Sequence, residues 1–314
     1  MDVVVRSAEA VAPRVKAFEL ADPAGGLLPA FTAGSHVDVT LPTGLVRSYS
    51  LLNDSRERHR YVIAVLHEEA GGGGSAWVHE SLRPGDVLGI SAPQNRFEID
   101  EGGDHNILIA GGIGITPLLS MAERFDELGI DFRLIYCTRS RADGAFCARI
   151  EERFGERATL HHDGGLRERS LDLVALLGVR EPGTHVYVCG PPGLIAATRA
   201  AAHDWPQGTV HFELFGAVRG EGATLENRAF DVHLKRRNLT LHVPADRSIL
   251  DVLTDNGIRV RTVCRDGFCG TCTTRYVGGA VDHRDGVLDN DGRKELIQVC
   301  VSRALPGDML VLDL

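Results

Sequence analysis

Short runs of alternating apolar and polar residues, broken by glycine and proline, fill the first hundred positions, most clearly at 31–41, 61–66 and 86–90. Period-two runs at that spacing, with little helical patterning between them, predict a small antiparallel β-barrel over residues 1–100. The pattern changes at 106–110, an unbroken apolar run of the kind that forms a strand buried on both faces. It leads through Gly111-Gly112-Ile113-Gly114-Ile115-Thr116-Pro117 into a helical stretch over 118–128 that stops at Gly129. Two more strand runs, 132–137 and 184–189, each precede a turn, the second being Gly190-Pro191-Pro192-Gly193 before a helix from Leu194. Repeated strand–turn–helix units predict a parallel α/β sheet over 101–225, with its ligand at the carboxyl ends of the strands. A Gly-rich polar stretch, 216–227, has the composition of an exposed connector. After it come two β runs, 230–235 and 239–243. A helix follows over 249–253, capped by Ser248 and ending near Gly257, and a closing strand covers 309–312. The chain thus reads as three domains, 1–100, 101–225 and 226–314.

The third domain carries the most specific chemistry. Cys264, Cys269 and Cys272 are spaced C-x4-C-x2-C, and Cys300 follows after 27 further residues. That is the plant-type arrangement in which four thiolates hold a [2Fe-2S] cluster. Gly267 and Gly270 suit a loop that wraps an inorganic core, because glycine adopts positive φ and lets backbone N–H groups come close. A structural zinc is the competing reading, since Cys269 and Cys272 alone would suit zinc; zinc sites usually pair two such units. Hairpin, helix and cysteine loop together match a β-grasp ferredoxin domain. Of the seven cysteines, Cys137, Cys147 and Cys189 remain, and they read as thiols of a reducing compartment.

Two stretches of the first domain suggest a phosphate-bearing planar ligand. In Arg47-Ser48-Tyr49-Ser50-Leu51 the strand period puts Arg47 and Tyr49 on one face. A cation beside a flat aromatic suits such a ligand, although a cross-strand packing pair would look the same. The run from Gly71 to Gly74, then Ser75 and a helical segment, would seat an anion on bare N–H groups, or would be a plain hairpin tip. In the second domain, the glycines of 111–114 let a backbone approach a pyrophosphate, and Thr116 and Pro117 open the helix. As a bare motif this G-x-G-x-x-P run is weak, and its strand–turn–helix context strengthens it. No acidic residue ends the second strand cleanly to take a ribose hydroxyl, and Arg139 and Arg141 would suit a 2′-phosphate.

The R-x-Y-S-L strand followed by a G-G-S helix start resembles the ferredoxin–NADP reductase superfamily. With the cluster domain at the C-terminal end, the whole chain resembles the phthalate dioxygenase reductase family, which includes vanillate O-demethylase reductases. The resemblance implies FMN as the flavin. Arg47 would contact its phosphate, Tyr49 would pack on the ring, Ser50 would bond near N5, and Gly74 and Ser75 would seat the phosphate. It also implies that Cys189 and Gly190 lie beside the nicotinamide, with Glu213 and Phe215 near the flavin edge, and that NADH is the donor, with NADPH possible. The family often has arginine where this chain has Gly72, which leaves more of the phosphate charge to Arg47.

Composition narrows the function classes. Hydrophobic residues at 43% and charged residues at 25% are ordinary for a globular chain. A net charge of -9 argues against non-specific nucleic-acid binding. No apolar run approaches the roughly 18 residues of a membrane span, and no signal-peptide pattern opens the chain, so a cytoplasmic monomer is expected. No catalytic triad or carboxylate pair stands out, and His161-His162 read as surface residues. Arg259, Arg261, Arg265 and Arg275 flank the cluster loop and would steer an acidic partner. The three signatures together imply an NAD(P)H-dependent reductase passing electrons through FMN and a [2Fe-2S] cluster. By resemblance, the acceptor is a Rieske-type terminal oxygenase acting on an aromatic or related small substrate. The alternative is a stand-alone flavin reductase or diaphorase of broad acceptor range.

Overall fold

The computed structural model describes residues 1–69, 73–206, 208–215, 226–262, 267, 270, 272–285, 288 and 291–314. It divides into two compact units, 1–215 and 216–314.

The first unit opens with an antiparallel sheet. Its main path runs Val46–Ser50, Ser35–Thr40, Val87–Ile90, Asp2–Ala12, Val15–Ala21 and Tyr61–Leu66, and a short strand, Gln94–Asn95, pairs with Ser35–Thr40. The two ends of that path meet: the Leu52 N–H donates to Val62 O at 2.9 Å. The rolled sheet encloses Val3, Val5, Phe18, Leu20, Val37, Val39, Ile63, Val65, Leu88 and Ile90, the inward half of each period-two pattern. The run expected from residue 31 becomes a strand only at Ser35. The cause is Gly34, whose φ of +88° turns the chain where an added Cβ would lie 2.1 Å from Phe97 O.

A five-stranded, all-parallel sheet follows, ordered Ala158–His162, Asp131–Thr138, His105–Gly111, Thr184–Cys189, Val210–Glu213. Helix Ile115–Leu128 covers one face through Leu118, Leu119, Ala122 and Phe125, and Gly129 ends it in the left-handed conformation. The same core cluster includes Ala33, Leu52 and Phe97 from the barrel, so barrel and α/β sheet share one apolar interior. The strand Ala158–His162 was not legible in the sequence. It is an edge strand with no fully buried residue, so its apolar pattern is weak. His161 and His162 lie on it: His162 Nδ1 pairs with Thr138 Oγ1 at 2.8 Å, and His161 Nε2 with Arg169 O at 2.8 Å.

The second unit is a mixed sheet ordered Leu239–Val243, Phe230–Leu234, Leu310–Leu312, Thr273–Gly278, Leu296–Gln298. Helix Ile249–Asp255 packs Ile249, Leu250 and Leu253 into its core. Ser248 caps that helix in a reciprocal capping box: the Ser248 hydroxyl accepts from Asp251 N, and the Asp251 carboxylate accepts from Ser248 N. Among the described residues, no helix is long and apolar enough to cross a membrane.

Candidate flavin, nucleotide and cluster sites

The strand Val46–Ser50 pairs with Ser35–Thr40 so that Arg47 faces Val39, Tyr49 faces Val37 and Ser50 faces His36. Helix Gly74–Ser81 starts after Gly73, whose φ of 78° is left-handed, and among the described residues no side chain caps its first N–H groups. Arg47 lies over this start. A Cβ on Gly74 would sit 2.9 Å from Arg47 Nε, so the arginine side chain lies close against this backbone. The Ser75 hydroxyl accepts from Glu68 N at 3.0 Å, tying the preceding loop to the helix. Two stretches read separately in the sequence therefore meet as a cation on a helix N-terminus. Gly71 and Gly72 lie outside the described residues. Tyr49 is half-buried against the barrel core, and burial pushes its hydroxyl up to about 12 despite the opposing influence of Arg47. Ser50 is 4% exposed, and its Oγ has no hydrogen-bond partner among the described residues. A half-buried aromatic and a cationic helix start, with an orphaned buried hydroxyl at the end of the same strand, fit a planar, phosphate-bearing cofactor.

In the α/β sheet the two glycine turns touch backbone to backbone. A Cβ on Gly114 would lie 2.2 Å from Cys189 O, and one on Gly190 would lie 2.9 Å from Gly111 N. Gly112 differs: its φ is 54°, and open space lies where its Cβ would point. The Thr116 hydroxyl is buried and donates to Ile113 O at 3.1 Å, so it braces its own turn. Pro117 is buried in the first turn of the helix. Cys189 is fully buried, and burial, then the neighbouring Glu213, pushes its thiol well up, which suits a packing group and not a nucleophile. Cys189 stands between Ala110 and Glu213 in the parallel ladders. The Glu213 Oε2 is buried without a partner among the described residues, and burial raises this carboxyl to about 8. Phe215 is 36% exposed.

The end of the second strand is less cationic than its sequence. Arg141 donates to both oxygens of Glu151, at 2.6 and 2.5 Å, and Ser140 donates to Asp143 at 2.6 Å. Arg139 is exposed and has no ion-pair partner among the described residues. Sequence reasoning also missed a ring stack across Thr184–Cys189 and the edge strand Val210–Glu213. Tyr187 lies 4.5 Å from His211 and nearly parallel to it, and His185 Nδ1 is 3.1 Å from His211 Nε2. Burial, then His185, lowers His211 to about 4. The signal was available only through register, which sets Tyr187 opposite His211.

In the second unit, Cys272 Sγ lies 3.0 Å from Cys300 Sγ, both buried. Two of the four cysteines are thus side by side, and the Cys272 S–H also reaches Gln298 Oε1 at 3.0 Å. Cys264 and Cys269 lie outside the described residues. Gly267 and Gly270 have φ of 78° and 64°, and a Cβ on Gly267 would meet Val301 Cγ2 at 2.6 Å. A soft sulfur pair, one from the end of the cysteine segment and one from beyond the strand Leu296–Gln298, with glycines at positive φ at 267 and 270, fits the iron–sulfur reading. Cys137 and Cys147 are free thiols, and burial pushes Cys137 up to about 12. Arg275 pairs with Glu295 at 3.1 Å, which weakens the expected basic patch; Arg259 and Arg261 are exposed, and Arg265 lies outside the described residues.

Known proteins similar to this chain identify its family. The 2Fe-2S iron-sulfur cluster binding domain family matches residues 232–305. The phthalate 4,5-dioxygenase oxygenase reductase subunit of Pseudomonas putida is 45% identical, covering 97% of this chain and 94% of that protein. A vanillate O-demethylase oxidoreductase of a Pseudomonas strain is 40% identical over the whole of both chains. The solved structure of phthalate dioxygenase reductase, described as modular for electron transfer from pyridine nucleotides to [2Fe-2S], superimposes with a TM-score of 0.72 at 43% identity, covering 100% of this chain and 98% of that one. The chain belongs to the phthalate dioxygenase reductase family. It is an NAD(P)H-dependent oxidoreductase, the electron-transfer subunit of a multicomponent oxygenase system, and it carries electrons from NADH through FMN to a plant-type [2Fe-2S] cluster.

Proposed function

We propose that segments 1–100, 101–225 and 226–314 serve as the FMN, nucleotide and cluster domains of a single relay. Arg47, Gly74 and Ser75 hold the FMN phosphate, where a dianion meets a guanidinium and the positive end of a helix. Tyr49 packs on the flavin ring, and Ser50 gives its Oγ to the reactive edge. Gly112, Gly114, Thr116 and Pro117 form the turn that takes the nucleotide pyrophosphate. Cys189 and Gly190 bound the nicotinamide with a small, protonated, apolar surface, while Glu213 and Phe215 close its far side. Cys264, Cys269, Cys272 and Cys300 hold the iron. Bound FMN supplies the change from two-electron hydride chemistry to one-electron transfer. The protein contributes position, a dry site and charge. The observation that carries this reading is the meeting of Arg47 with Gly74 at a helix start, Arg47 standing on the strand whose last residue, Ser50, has a buried hydroxyl with no partner among the described residues.

The oxygenase that receives the electrons is of the Rieske type and acts on an aromatic or related small substrate, a reading supported by full-length similarity to phthalate and vanillate system reductases. The reductase works as a cytoplasmic monomer that docks transiently. Cys272→Ser tests the relay and its acceptor together. The variant should keep NADH-dependent reduction of ferricyanide and lose NADH-dependent reduction of a purified Rieske oxygenase from a phthalate system. Equal reduction of that oxygenase by the variant would overturn the cluster's place as exit. Failure of the unaltered protein to reduce any oxygenase, while reducing ferricyanide, would favour the diaphorase.

A further inference from the structure

The second unit holds an arginine pair that cofactor binding does not explain. Arg303 is 5% exposed and stands three residues beyond Cys300. Its Nη1 donates to Arg247 O at 2.7 Å, and its Nη2 donates to Pro244 O at 2.8 Å and Arg228 O at 3.0 Å. Its guanidinium carbon lies 4.9 Å from the centre of the Phe230 ring. A buried guanidinium bonded to three carbonyls cross-links the segments that carry them. Arg284 adds a second tie: Nε donates to Asp282 Oδ2 at 2.7 Å, and Nη1 donates to Asn227 Oδ1 at 2.5 Å. Asp282 and Arg303 are register partners in a two-stranded ladder, and Arg284 N donates to Ser302 Oγ at 3.2 Å. Arg303, on the strand segment that follows the fourth cysteine, therefore grips Arg228, and Arg284, just after the paired strand Val281–Asp282, grips Asn227, where the connector joins the ferredoxin fold.

We propose that Arg303 and Arg284 form a clamp that fixes the direction in which the connector leaves the ferredoxin unit, making them positioning residues for electron transfer from flavin to cluster. The clamp rests on the relay described above. Its release would add residues 226–229 to the connector of 216–225. If the connector were only a flexible leash, lengthening it from about 10 to about 14 residues would lower the effective concentration of one site at the other by less than about twofold. A clamp that sets direction predicts a larger loss, because orientation as well as distance is given up.

The test uses the holoprotein with Arg303→Lys and, separately, Asn227→Ala, mixed with NADH without oxygen in a stopped-flow instrument. Flavin reduction should stay within about twofold of the unaltered protein, while the later cluster reduction slows about fivefold in Arg303→Lys and about threefold in Asn227→Ala. The circular dichroism of the cluster should be unchanged. Cluster reduction within about twofold of normal in both variants would overturn the clamp, as would loss of the cluster dichroism in step with the rate in both. Where Arg303→Lys disturbs the fold, the rate in Asn227→Ala decides. Absence of NADH-driven flavin reduction in the unaltered protein would instead strike the relay itself, and the clamp with it.

Discussion

Replacing Glu213 by glutamine keeps the shape of a protonated carboxyl and removes its titration. In the fold, burial lifts this group from 4.5 to about 8, with Oε2 enclosed and lacking a partner among the described residues. A raised folded-state value means that the fold favours the protonated form. The stability this contributes is complete below pH 4.5 and is lost as pH rises through about 8. Over the full interval the loss is on the order of 5 kcal/mol, of which roughly 3 kcal/mol has gone by pH 7. The glutamine variant has no such loss. The assay is urea unfolding of the flavin-free chain, followed by the fluorescence of Trp77 and Trp205, the two tryptophans, both in the first unit. The difference between variant and unaltered chain should be near zero at pH 4.5 and grow to about 3 kcal/mol in favour of glutamine by pH 7. Other titrating groups cancel in that difference. A gap that stays flat from pH 4.5 to pH 8 would refute the argument, because it would mean that the carboxylate is solvated or paired in the fold.

Three further outcomes are expected. Arg47→Ala should weaken FMN binding about tenfold to a hundredfold, the worth of a charge-assisted phosphate contact, as read by flavin fluorescence on titration. Gly114→Ala must displace the Cys189 carbonyl by more than a van der Waals contact allows; it should cost about 1–3 kcal/mol in urea unfolding of the first unit and abolish NADH-driven flavin reduction. Glu151→Gln should release Arg141 and raise kcat/KM for NADPH relative to NADH by several-fold, about the effect of one exposed charge pair, measured with ferricyanide as acceptor.

What the sequence revealed follows from which interactions are local. The Cys264–Cys272 spacing, the strand 106–110 with its glycine turn, and the Ser248 cap are signals carried within a few residues, and each could be read without knowing the fold. The meeting of Arg47 with Gly74 could not be read from either stretch, because it depends on how the barrel closes. The backbone contact of Gly114 with Cys189 was hidden for the same reason: each glycine had a sufficient local explanation as a turn residue. Thr116 was legible as the residue that opens the helix; that its hydroxyl donates to Ile113 O was not. The edge strand Ala158–His162 was missed because half-exposed strands leave no apolar signature. Nothing in the sequence around Arg303 shows that Arg228, Pro244 and Arg247 converge on it.

The central claim is that one polypeptide carries electrons from NADH through FMN to a [2Fe-2S] cluster. It is tested most directly by the absorption spectrum of the purified protein, with iron and flavin quantified, before and after NADH is added without oxygen. The account predicts one FMN and two irons per chain, with flavin and cluster bands both bleaching on NADH. Zinc in place of iron, or a cluster band untouched while the flavin is reduced, would contradict it.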